Sequence, residues 1–85
     1  MQIDVTQEDI DRGIPREGEN CPIALALKRA TDITWQVDRL SAMCLGDPWL
    51  RKILLPKQAV DFISDFDLDK TVGAFTFDFP WEPQP

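Results

Sequence analysis

The sequence predicts a small α+β domain: a single-layer antiparallel or mixed sheet of three to four strands with two to three helices packed on it. Three observations lead there. Two segments alternate apolar and polar residues, Ile33-Thr34-Trp35-Gln36-Val37-Asp38 and Phe75-Thr76-Phe77-Asp78-Phe79. Two others carry helical periodicity, after Cys21-Pro22 and after Pro56. With 85 residues, the chain has room for one core and no second domain.

Taken in order, Gln2–Val5 alternates with Ile3 and Val5 on one side and reads as a short strand. Thr6 is placed to cap a helix with three acids following it, Glu8, Asp9 and Asp11, where carboxylates meet the positive helix end. Gly13 is the expected stop, and residues 14–20 read as a loop. Pro22 suits a first helical position, because its missing N–H has no partner there. Ile23, Leu27 and Ala30 are expected on the buried face of that helix, beside Ala24 and Ala26.

Residues 33–38 form the next expected strand. Residues 40–55 are open to two readings: a short helix capped by Asp47-Pro48, or a strand after a Gly46-Asp47 turn that pairs with 33–38. The hairpin is preferred. Pro56 opens a helix with Ala59, Phe62, Ile63 and Phe66 as its core stripe and Asp61, Ser64 and Asp65 facing away. Phe75, Phe77 and Phe79 face one side of the closing strand. The domain is expected to span 1–80, with 81–85 a Pro-rich tail.

Composition narrows the function. Apolar residues make up 44% of the chain, with five Phe and three Trp, enough for a packed core. Histidine is absent, which removes the commonest general base and transition-metal ligand. Cys21 and Cys44 are neither a C-x-x-C pair nor a disulfide framework, and a zinc site would need two further ligands. No catalytic residue, metal or cofactor is therefore expected.

The net charge is −6 and is unevenly spread: residues 1–20 carry −4, residues 21–57 carry +3 and residues 58–85 carry −5. Acidic ends around a mildly basic middle argue against direct nucleic-acid binding. No apolar run nears the roughly 18 residues needed to cross a bilayer, and the start lacks a signal-peptide pattern. The expectation is a cytoplasmic protein.

Two surface sets are candidate sites. One is the acidic group Asp61, Asp65, Asp67 and Asp69, suited to a basic patch on a partner. Asp65-Phe66-Asp67-Leu68-Asp69 also looks like the opening of a calcium loop. The sixth and twelfth positions, Lys70 and Thr76, lack the required Gly and Glu, so calcium is set aside. The other set is Arg12, Arg16, Asn20 and Cys21, where a helix N-terminus and two cations suit an anionic ligand, although Glu17 and Glu19 crowd the loop.

Residues 5–13 (Val-Thr-Gln-Glu-Asp-Ile-Asp-Arg-Gly), residues 20–27 (Asn-Cys-Pro-Ile-Ala-Leu-Ala-Leu), and Leu55-Pro56, Phe62-Ile63, Phe66-Asp67 and Phe75-Thr76-Phe77 carry a resemblance. Together they resemble a family of small bacteriophage proteins with no assigned activity. The resemblance implies a phage or prophage origin and transfers no functional residue.

By analogy with phage anti-defence and anti-CRISPR proteins, it favours a non-enzymatic inhibitor. Such an inhibitor would occlude a host protein or nucleoprotein complex with a basic surface, in the host cytoplasm. The alternatives are a small-ligand or nucleotide sponge and a structural virion accessory protein. Trp81 and the Trp49 region supply apolar surface for a homodimer.

Overall fold

The computed structural model describes residues 1–46 and 48–81. The order is β1 (Gln2–Val5), α1 (Gln7–Arg12), α2 (Pro22–Thr31), β2 (Trp35–Val37), β3 (Ser41–Cys44), β4 (Lys52–Leu54), α3 (Lys57–Asp67) and β5 (Phe75–Asp78). The α+β class is observed, and every strand pair is antiparallel. The strands divide into two sheets, β1-β5 and β2-β3-β4. The loop before α2 runs along one edge of the three-stranded sheet. Its Gly18 carbonyl accepts the Val37 N–H at 2.9 Å on the edge of β2 that faces away from β3. No helix among the described residues is long and apolar enough to cross a membrane.

β1 pairs with β5 in the register Ile3↔Phe77 and Val5↔Phe75, which puts the apolar residues of both strands on the core side. Across the outer face the Thr76 hydroxyl donates to Asp4 at 2.9 Å. At the start of α1 the backbone N–H of Asp9 donates to Thr6 Oγ1 and the Thr6 N–H donates to Asp9 Oδ2, a reciprocal cap. α1 ends at Gly13 in an extended conformation rather than a left-handed one. Glycine is needed there for room, since a Cβ would lie 2.5 Å from the Pro22 ring.

α2 packs on β1, α1 and β2. Its buried residues are Pro22, Ile23, Ala24, Ala26 and Leu27. Ala30, expected on this face, is exposed with its neighbours Lys28 and Arg29, so the last turn projects beyond the core. Arg29 grips both oxygens of Asp9 at 2.6 and 2.9 Å and also donates to the Asp4 carbonyl at 2.7 Å. This one guanidinium ties α2, α1 and the end of β1 together.

The preferred hairpin is only partly as expected. Residues 33–38 do pair, but with β3, and β4 pairs with β3 in turn. Ser41-Ala42-Met43-Cys44 escapes sequence reading because it has no β-branched residue and no alternation; Ser41, Ala42 and Cys44 are all buried. Arg39 and Leu40 form the tip of the β2–β3 turn. There the Asp38 carboxylate accepts from the Leu40 and Ser41 N–H groups and from the Ser41 hydroxyl. Trp49 lies beyond β3 and is 82% exposed. Asp47, on which the alternative helix cap rested, is outside the described residues.

α3 buries Ala59, Phe62 and Ile63 as the stripe predicts, with Phe66 half-buried. A run of ring contacts then crosses the molecule: Phe66, Phe62, Phe75, Phe77, Phe79, Trp35 and Trp81. Trp81, expected in a loose tail and as dimer surface, is buried. Its N–H turns back to the Phe79 carbonyl at 2.8 Å, its ring meets Trp35 edge-on at 5.0 Å, and Arg51 lies over it at 4.8 Å. The rest of the expected tail, 82–85, is outside the described residues.

Two tests follow from this packing. Trp35→Ala is expected to cost about 3–5 kcal/mol in equilibrium denaturation, because Trp35 touches both Phe79 and Trp81 and donates its indole N–H to Thr31. For Asp9, burial pushes the carboxyl upward. Hydrogen bonds from Arg29 and from Thr6, with the Arg29 charge, outweigh it and hold the carboxyl below the usual range. A depressed folded value gives stability that is present above about pH 4 and is lost as pH falls through the folded value. Denaturation from about pH 7 to about pH 2 should show that loss, and Asp9→Asn should shrink it.

Candidate functional site

Of the second sequence-predicted set, Arg16 reaches Asp67 and Asp69 of the acidic set at the C-terminal end of α3. Arg16 sits in the left-handed region with φ 63°, and its N–H donates to Asp67 Oδ1 at 2.9 Å. Its guanidinium donates to the Asp67 carbonyl and lies 4.0 Å from Asp69. Arg16 and Asp67 thus fasten the 14–20 loop to α3. Asp67 is half-buried and engaged within the protein, whereas Asp61 and Asp69 are exposed.

The other acids of the set have cations of their own. Lys57 bonds Asp61 at 2.9 Å one turn away, and Lys70 lies 3.8 Å from Asp65. These pairs are solvent-exposed and contribute little to stability. Asp67 and Asp69 both face Arg16, whereas Asp65 faces Lys70, so the three carboxylates do not converge on one point. Among the described residues no group of three His, Cys, Asp or Glu is placed to hold a metal ion.

The residues of the anion set are not brought together. Arg12 pairs with Glu8 at 3.0 Å and lines a cleft between α1 and α2, whereas Arg16 and Cys21 line another. The Asn20 side chain donates to Glu17, and its carbonyl accepts the Ile14 N–H. Cys21 is the cap of α2: its Sγ accepts the Ala24 N–H at 3.4 Å, so one of the free N–H groups at the helix start is served from within. Burial pushes the Cys21 thiol up; the N–H groups of Ala24 and Ile23 oppose this, and the charge of Asp67 adds to it.

What the fold builds instead is a groove between α3 and the β2–β3 turn. A cleft of about 470 Å³ is lined by Leu40, Val60 and Leu68, with Arg16, Arg39 and Asp61 among its charged residues. It shares Arg16, Arg39 and Asp67 with a smaller cleft of about 260 Å³ that runs to Cys21, Val37 and Ile63. Leu40 and Leu68 are 61% and 64% exposed, so this floor is apolar surface left in water.

Nothing in the sequence marks Arg39, Leu40, Val60 and Leu68 as a set. The available signal was a second helical row, Val60, Ser64 and Leu68, lying beside the core stripe of α3. No protein-family model, curated protein or solved structure matches the chain.

The Cys21 environment makes a chemical prediction. Native protein treated with a thiol–disulfide exchange reagent near pH 8 should leave Cys21 unmodified until denaturant is added. Rapid labelling of Cys21 in the native state would contradict its role as a buried cap.

Proposed function

We propose that the chain is a non-enzymatic binding protein of the inhibitor kind, which covers a functional surface on a protein partner. The observation that carries this reading is the groove beside α3. Exposed Leu40 and Leu68 and half-buried Val60 form an apolar centre, and charged side chains surround it. Apolar centre and polar rim is the general anatomy of a protein–protein contact. The row Asp61, Asp65 and Asp69 beside it suits basic residues of the partner, with the exposed pairs to Lys57, Lys70 and Arg16 exchanged on binding.

A phage origin and an anti-defence target, such as a CRISPR nucleoprotein complex, remain part of this proposal. They rest on the family resemblance and on analogy.

The test is affinity purification of the tagged protein from a bacterial host at low salt, with native mass spectrometry of what is held. A specific host protein or complex is expected. Leu68→Asp should abolish its retention, and Asp61→Lys with Asp65→Lys should weaken it at least tenfold, while thermal unfolding stays within a few degrees of the parent. Full retention by the Leu68 variant would remove the groove from the contact.

A further inference from the structure

We infer that the groove receives a segment of the partner in which an apolar side chain stands next to an aspartate or glutamate, whose carboxylate is taken by Arg39. The inference rests on the groove being the binding surface and concerns what fills it.

Arg39 lines both clefts and is exposed at the tip of the β2–β3 turn. Among the described residues it has no ion-pair partner. The other three arginines of the loop and helical segments are engaged: Arg12 with Glu8, Arg16 with Asp69 and Arg29 with Asp9. The acids that line the two clefts are likewise turned to other groups. Glu17 accepts from Asn20, Asp61 from Lys57 and Asp67 from the Arg16 backbone. Asp38, which also lines the smaller cleft and is adjacent in sequence, accepts from two backbone N–H groups and the Ser41 hydroxyl, with Lys52 3.8 Å away.

That same Asp38 network stiffens the turn and so places the arginine. A guanidinium beside exposed Leu40 and Leu68 presents a forked donor next to apolar surface. Arginine is well matched to a carboxylate in such a setting, and more so once an apolar side chain has displaced water from the floor.

The test uses three short acetylated and amidated peptides, alternating leucine with glutamate, with glutamine or with lysine. The blocked ends leave only side-chain carboxylates to bind. Each is titrated into the full protein, following the amide resonances of Arg39, Leu40 and Leu68. The leucine–glutamate peptide is expected to saturate below about 1 mM and to bind roughly tenfold more weakly to Arg39→Gln.

Equal binding of the lysine peptide, or no effect of Arg39→Gln, would overturn the inference. In that case shifts at Leu40 and Leu68 with the glutamine peptide would show that the groove still binds. No saturable shift with any peptide would remove both the occupant and the groove.

Discussion

The structure depends on a continuous file of aromatic rings. All five phenylalanines and two of the three tryptophans take part, from Phe66 on α3 through the residues of β5 to Trp35 and Trp81. The two sheets are separate hydrogen-bonded units, so side-chain packing has to join them. Trp35 on β2 meeting Phe79 just beyond β5, at 5.3 Å and 82°, is one such joint. Each edge-on or offset pair adds about 0.5–1.5 kcal/mol beyond the area it buries. That matters in a chain so short, which buries only about 60–65% of its unfolded surface.

Because the file begins on α3, it also sets how that helix lies and therefore which of its faces is left over. Phe62 and Phe66 draw one side of α3 onto β5, through the Phe62–Phe75 contact at 4.8 Å. The row Val60, Ser64 and Leu68 is then turned toward the Arg39–Leu40 tip, and the groove is the gap between them. The 14–20 loop closes one end of this arrangement. It is held by Gly18 to β2 and by Arg16 to Asp67, so a segment without secondary structure becomes a fixed wall.

How much of this can be read from the residues depends on how local each cause is. The cap at Thr6, the helix start at Pro22, the stop at Gly13 and the stripe of α3 are written within a few residues of where they act, and the structure shows all of them. Ser41–Cys44 is a strand only because its neighbours on both sides pair with it, and its small side chains carry no period of their own. Trp81 reads as tail because Pro80 and Pro83 flank it; its burial comes from Trp35, forty-six positions earlier in the chain. The acidic set is plain in the sequence, but its pairing with Arg16 spans fifty-one positions and is set by the fold. The groove is invisible for the same reason. Its walls come from the β2–β3 turn and α3, and neither carries a motif.

Stability and the proposed recognition therefore rest on different residues on neighbouring faces. Arg39, Leu40 and Leu68 are exposed and absent from the aromatic file, so changing them leaves the packing that joins the sheets intact. Asp67 is different, since its carboxylate and its carbonyl both hold the 14–20 loop in place. Val60 is also shared, packing against the core while lining the groove. A substitution at either would mix loss of binding with loss of structure. The separation elsewhere has a physical basis: a side chain that the fold does not need is free to be chosen for its partner. Arg39 has no ion-pair partner among the described residues and stands beside exposed Leu40 and Leu68, so on the proposed reading it is available to a partner without cost to the packing of its own chain.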